Sequence, residues 1–427
     1  MNLQLKVNSQ IIIGYSLSIM IFFLPISAKL STVFIILSLV AALPFTDWKN
    51  FIPDLKSNKF FLFSIAYFVM HLIGILYSDN YKYAFNDIQT KLSFLIFPIL
   101  FTVFKPWPAH IDNMKKSFIA GCITALVICT VKSLLEYSSS HDTTVFFYTK
   151  FSGLMHPTYF GFYINLALLF LIDDAFINEN SKKTSFQIEF FITELFLITG
   201  LFLLSARMSL IVAIFTLVAF IIIKTIQLKD KRKFTLALVV SFLIAGCIQF
   251  GLIKFYNRFT QIETAIQNEK QITNEIANNT AKTEEYNSTT SRLALWKYAS
   301  ELIGSSPQTF IFGVGTGDIK DELRKVYVKN NFQKGIDENY NPHNQFLHTA
   351  VVIGIIGMSL LLILLFAPLI RALKRNSLPL AIFLIIILLN GLTESILEVQ
   401  SGIIFFCFFY CLMISEMNLK EQQNIDE

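Results

Sequence analysis

The sequence predicts an all-α polytopic membrane protein with about twelve transmembrane helices and a large, partly helical extracytoplasmic loop between the ninth and tenth. Three observations carry this. Of 427 residues, 54% are apolar and 15% charged, against roughly 25% charge in a soluble domain. Apolar runs of the length needed to cross a bilayer, about 20 residues, recur along the chain. Basic residues gather on alternate connections between those runs, as expected when short cytoplasmic loops retain Lys and Arg. A soluble enzyme and a disordered chain are both excluded, the latter also by the 44 Phe.

Taken in order, the runs lie at 9–27, 30–46, 59–77, 88–104, 115–137, 156–173, 187–205, 208–226, 234–256, 344–370, 378–397 and 400–417. The first follows a single Lys6 and no small-x-small cleavage site, so it is expected to remain as a span. With the N-terminus inside, the inner segments hold eighteen Lys or Arg. The short outer ones hold six: Lys29, Lys82, Lys91, Lys132, Lys150 and Arg207. Both termini are therefore expected on the cytoplasmic side. The five Cys at 122, 129, 247, 407 and 411 all sit within apolar runs without a CxxC pair, which suits small core side chains rather than a metal site or disulfide frame.

The chain divides into 1–256 with nine spans, a connection at 257–343, and 344–427 with three spans and a cytoplasmic tail. The connection is far longer than an ordinary loop. Between 255 and 345 there are 10 Lys or Arg and 11 Asp or Glu. Ile262, Ile266, Ile272 and Ile276 suggest one amphipathic helix. A second starts after Thr290 or Ser291, where Leu295, Trp296, Ala299, Leu302 and Ile303 repeat at helical spacing. The charge distribution places this domain outside the cytoplasm.

Few residues can carry chemistry. In Asn341-Pro342-His343-Asn344, Pro342 suits the first turn of a helix, which would put His343 at the positive end of a helix dipole. A neutral imidazole is favoured there and can accept a proton. The competing reading is a histidine that caps loop backbone. Arg207 lies between two apolar spans on the side where cations are disfavoured, which suggests an anionic ligand held by a planar fork. The alternative is a side chain that reaches lipid phosphates. Arg292 opens the second loop helix, where free N–H groups also favour an anion. A solvated helix face is the other reading.

His156-Pro157 precedes another span, so His156 either lines the same cavity or starts the helix. Glu394 and Glu398 are four residues apart and expected on one helix face, to pair with Arg or sugar hydroxyls, or to cap a hairpin. Gly313-Val314-Gly315-Thr316-Gly317-Asp318 lacks a Walker lysine and reads as a tight turn packing the loop onto the membrane domain. No HExxH, GxSxG or acidic metal cluster appears, so neither metal nor cofactor is expected.

Together, the span layout, Arg207 between spans seven and eight, Ser291-Arg292 with Trp296, Gly313-x-Gly315 and Asn341-Pro342-His343-Asn344 resemble the O-antigen ligase and polymerase superfamily. The specific part runs from about Gly153 to Gly357, and Asn344 stands where some relatives carry a second histidine. The resemblance implies a bacterial inner-membrane glycosyltransferase with a periplasmic loop, using a glycan donor on undecaprenyl pyrophosphate and a lipid A-core or other glycan acceptor. It implies catalytic roles for His343, Arg207 and Arg292; His156, Trp296, Asn344 and Glu394 are the further residues expected to contact substrate beside both arginines. The bilayer is the expected environment and nucleic acid is not an expected partner. A polymerase and a protein O-glycosyltransferase share the chemistry and differ in acceptor. A polysaccharide flippase, from another class, would line its bundle interior with charge and need no outer domain.

Overall fold

A computed structural model describes residues 3–177, 183–228 and 288–426, and every regular element among them is helical. The first half comprises α1 (Leu3–Phe23), α2 (Ala28–Ala42), α3 (Trp48–Ser57), α4 (Lys59–Ile75), α5 (Tyr81–Lys91), α6 (Ser93–Val103), α7 (Pro108–Ser140), the short α8 (Tyr148–Phe151), α9 (Pro157–Ile177), α10 (Thr184–Leu203) and α11 (Arg207–Leu228). Next comes a polar helical insert: α12 (Ser288–Ile303), α13 (Pro307–Phe312), α14 (Ile319–Lys329) and α15 (Gln333–Glu338). Three helices close the chain, α16 (Gln345–Lys374), α17 (Leu378–Gly391) and α18 (Gln400–Asp426).

Ten of the apolar runs fall on these helices, the run 88–104 is instead divided at Leu92 between α5 and the 11-residue α6, and the run 234–256 and the helix expected around Ile262 to Ile276 lie outside the described residues. Among the described residues six helices (α7, α9, α10, α11, α16 and α18) are long and apolar enough to cross a membrane, or seven if α3 and α4, bent by 93°, count as one span. The apolar parts of α1, α2 and α17 are shorter. The expected span 378–397 is cut short. Its helix ends at Gly391, and residues 392–399 form an irregular segment with one 3-10 turn, Ile396–Glu398. The reason is tertiary: after Thr393 and Glu394 N–H reach back to the Asn390 carbonyl, the remaining polar groups of the segment bond to side chains of α5, α9, α16 and the turn before α16.

Burial sorts the helices into layers. Residues Ile403 to Ile414 of α18 are all buried, and α9 and α17 are nearly so, the pattern of helices surrounded on every side by protein. Phenylalanine fills the space between them. The Phe118 ring of α7 meets those of Tyr163, Phe170, Phe405 and Phe409, the last at 4.7 Å edge-on, and such pairs add about 0.5–1.5 kcal/mol beyond area burial. Peripheral α10 exposes Ile188, Ile192 and Leu195, an apolar face suited to lipid. Where α1 crosses α7, a Cβ on Gly121 would stand 2.2 Å from the Phe22 carbonyl oxygen, so only glycine permits the approach.

One span is broken. Within α16, Ile353 and Gly354 leave helical geometry, with Gly354 at φ +67°. The break turns the Val351 and Val352 carbonyls toward the glycine loop, where they accept from Val314 N–H (2.8 Å) and Gly315 N–H (3.0 Å). Thr316 donates its hydroxyl to the His71 carbonyl of α4 (2.7 Å), Gly317 N–H reaches Ser78 Oγ (2.9 Å), and the Asp318 carboxylate accepts from Asp79 and Asn80 N–H (2.8 Å each). Irregular backbone at such a place survives because protein groups satisfy it. The loop's N–H groups are consumed in this packing, which fits the tight-turn reading and leaves no nest for phosphate. The insert has its own small core, where Tyr298, Tyr327 and Phe332 pack ring to ring over 5.4–5.9 Å and Leu295, Leu302 and Leu323 are buried.

Candidate active site

His343 comes from the turn joining the insert to α16. Its N–H bonds to Asn341 Oδ1 (2.9 Å), and its backbone is left-handed at φ +45°. The expectation that Pro342 opens a helix with His343 in its first turn is corrected. The helix begins at Gln345, because Asn344 caps it by accepting from Phe346 and Leu347 N–H at 3.0 Å each. The amide nitrogen of Asn344 donates to the Leu392 carbonyl at 3.0 Å. Its side chain thus joins the helix cap to the 392–399 segment.

The imidazole of His343 has a specific partner. Nδ1 lies 3.0 Å from Glu394 Oε1, with the two side chains 29% and 11% exposed. An ionised carboxylate only accepts, so Nδ1 carries the hydrogen and Nε2 keeps its lone pair. Burial pushes the Glu394 carboxyl up, but the His343 hydrogen bond and the charges of His343, Arg292 and His156 outweigh it and hold it below the usual carboxylate value. Glu394 and Glu398 do not share a helix face; each reaches a different histidine.

His156 belongs to this group of charges and also starts a helix. Its Nδ1 accepts from Thr158 N–H at 3.4 Å, with Pro157 opening α9. Burial lowers its proton affinity below that of an ordinary histidine, the charges of His343 and Arg292 lower it further, and Glu394 opposes them. Arg292 stands half-buried in the first turns of α12, and Trp296 follows one turn later with its indole nitrogen buried and unbonded among the described residues.

Arg207 is the exposed first residue of α11. Its helix is seated on the start of α9, where Ser209 Oγ donates to the Thr158 carbonyl (3.4 Å), Asn165 Nδ2 donates to the Ser209 carbonyl (2.9 Å), and Ala206 packs on Gly161. Arg207 therefore emerges at the His156 end of the bundle. Among the described residues neither Arg207 nor Arg292 has an ion-pair partner within 4 Å.

A second polar region lies at the opposite end of α9, where a cavity of about 740 Å³ is lined by Lys115, Asp173, Glu416 and Lys420. Four of its lining charges are paired: Glu416 with Lys115 and Lys420 at 2.8 Å each, and Asp173 with Lys224 at 3.1 Å. The catalytic candidates are the unmatched cations and the histidine at the other end.

What sequence reasoning missed lies behind His343. Lys91, counted only as an outer charge, is fully buried between Asp87 and Glu398, and His348 is buried against Glu398. The one local signal was the i, i+4 spacing of Asp87 and Lys91.

The described residues form a polytopic helical membrane protein with a carboxylate-oriented histidine and, at the same end of the bundle, two arginines that have no ion-pair partner among those residues. Residues 192–362 match the family model described as O-antigen ligase, a stretch that contains Arg207, Arg292 and His343. No curated protein matches the chain. His156, Glu394 and Lys91 fall outside the matched stretch.

Proposed function

We propose that this protein is an O-antigen ligase-like glycosyltransferase that moves a glycan from undecaprenyl pyrophosphate to a sugar hydroxyl of the lipid A core. The observation that carries the reading is the 3.0 Å contact between His343 Nδ1 and Glu394 Oε1. It orients the ring, leaves Nε2 as the proton acceptor and stabilises the imidazolium that forms. A pyrophosphate-linked sugar already has a good leaving group, so the protein has chiefly to position the acceptor and neutralise charge. The acceptor oxygen attacks the anomeric carbon as its proton passes to His343 Nε2. The bond from anomeric carbon to phosphate oxygen breaks, and its electron pair leaves with undecaprenyl pyrophosphate, held by Arg207 and Arg292. One in-line displacement inverts the configuration.

In this reading the protein lies in the bacterial inner membrane with both termini cytoplasmic and 257–343 periplasmic, an arrangement supported by the Lys and Arg distribution. A Cys replacing the exposed Lys325 is then expected to react with an impermeant maleimide once the outer membrane is permeabilised; reaction only after inner-membrane lysis reverses the orientation. The glycan profile of a deletion strain tests the function. A ligase defect leaves full-length chains on the carrier and a bare core. One repeat unit on the core indicates a polymerase, and altered glycoproteins with unchanged surface glycan indicate a protein acceptor.

A further inference from the structure

Segment 392–399 carries Glu394 and is joined to α17 by the Thr393 and Glu394 N–H bonds to the Asn390 carbonyl (3.0 Å each); beyond Glu394 its own backbone bonding is one turn, Glu398 N–H to the Ser395 carbonyl (3.3 Å), so the position of that part depends on side chains from elsewhere. The start of α16 supplies one set. Asn344 Nδ2 holds the Leu392 carbonyl (3.0 Å), Gln345 Oε1 accepts from Leu397 N–H (2.7 Å), Gln345 Nε2 donates to Glu398 Oε1 (2.8 Å), and His348 Nε2 meets Glu398 Oε2 (3.0 Å). The Tyr159 hydroxyl of α9 donates to the Ser395 carbonyl (3.3 Å), and a further support comes from α5. Lys91, the last residue of α5, is 0% exposed, and its Nζ donates to Glu398 Oε2 at 2.8 Å and to Asp87 Oδ1 at 2.7 Å. A buried ammonium persists only when paired in this way. Conversely, Asp87 and Glu398 need the ammonium between them. Without it two buried carboxylates confront one another beside His71 and His348, and one must protonate or move away.

From this geometry we infer that Lys91 is a positioning residue for the transfer reaction. Through Glu398 it fixes the 392–399 segment, and so fixes Glu394 against His343. Lys91 itself touches neither substrate nor His343. The inference rests on the reading of His343 as the base, and it assigns function to a residue outside the stretch that matches the family model.

A double-mutant cycle separates this role from a merely structural one. Full-length enzyme in nanodiscs would be assayed with a polyprenyl-pyrophosphate-linked oligosaccharide donor, measuring kcat, donor KM and the pH profile for the parent, Lys91→Met, Glu394→Gln and the double variant. Lys91→Met is expected to lower kcat by between about tenfold and 10²-fold, the scale of a misplaced catalytic group, with donor KM held within about twofold. Groups facing His343 are Glu394, His156, Arg292 and the Tyr340 ring. Moving the carboxylate away shifts the acid limb of the rate profile to lower pH, so Lys91→Met and Glu394→Gln should shift it in the same direction. The double variant should be no slower than Glu394→Gln alone.

An acid limb unchanged in Lys91→Met, or losses that multiply in the double variant, would overturn the proposal. Should Lys91→Met fail to fold, Glu398→Gln uncouples the segment from Lys91 with little change of shape and is subject to the same criteria. Full activity of His343→Ala in the same assay is a different result, because it removes the base itself rather than the role of Lys91.

Discussion

Among the described residues, two histidine–glutamate pairs of equal length stand in very different surroundings. His343 and Glu394 meet at 3.0 Å with 29% and 11% of their side chains exposed; His348 and Glu398 meet at 3.0 Å with 4% and 9% exposed. The first bonds through Nδ1 and stands among Arg292 and His156. The second bonds through Nε2, has Lys91 on the same carboxylate, and leaves its Nδ1 buried without a hydrogen bond among the described residues. The residue pair therefore does not define a base. An accessible second nitrogen and unpaired cations within reach of a leaving group do.

The largest expected effect breaks the comparison outright. His343→Ala should cost about 10² to 10⁴-fold in transfer, the usual worth of a general base, at matched protein level. His348→Ala should chiefly lower stability, by roughly 1–3 kcal/mol for the polar groups it leaves unsatisfied, with a much smaller change in rate per folded molecule. Glycan attachment and thermal melting of both variants provide the check. Equal loss of rate in the two would erase the distinction.

Glu394→Gln comes next, with a loss on the order of 10²-fold. Its pH dependence has a definite sign. The Glu394 carboxyl lies below its ordinary value of 4.5, so its stabilising contribution is complete above that value and disappears as pH falls through the depressed one. Melting temperatures of parent and Glu394→Gln should therefore differ at neutral pH and converge in acid. A constant difference across that range contradicts an ionised Glu394.

The arginines sharpen the contrast between matched and unmatched charge. Arg207→Lys should fail nearly as badly as Arg207→Ala, because a point charge cannot reproduce a bidentate fork on phosphate, whereas Arg292→Lys should be milder. Full activity of Arg207→Lys in a glycan-attachment assay would reduce the requirement to positive charge alone. The smallest effect belongs to Asn344→Ala. Loss of the cap should cost about 0.5–2 kcal/mol of stability with donor and acceptor KM nearly unchanged; a large rise in KM would instead support Asn344 as a substrate contact.

Periodicity and hydropathy made most of the helices legible. Leu295, Ala299 and Leu302 lie on the buried side of α12, as their spacing indicated. The candidate site was legible as a set of residue types, since His343, Arg207, Arg292 and Glu394 stood out as polar groups beside apolar runs. Their connections were not legible. Glu394 reaches His343 across 51 residues and Lys91 reaches Glu398 across 307, and nothing in local spacing encodes such partners. Pro342 misled for a related reason: the Asn344 side chain supplied a stronger helix start two residues later.

The junction between the glycine loop and the broken helix has a dynamic consequence. Val314 and Gly315 belong to the polar insert, yet their amide hydrogens are tied to carbonyls inside α16. They can exchange with solvent only when that junction opens, so their deuterium uptake should follow the slow opening of the membrane helix and not the faster breathing of the surrounding insert. A Cβ on Gly313 would stand 2.4 Å from the Val352 carbonyl, and Gly313→Ala should therefore release both protections together. The insert is thereby denied free rotation as a separate body, and the turn bearing His343 keeps its bearing on the membrane helices through thermal motion.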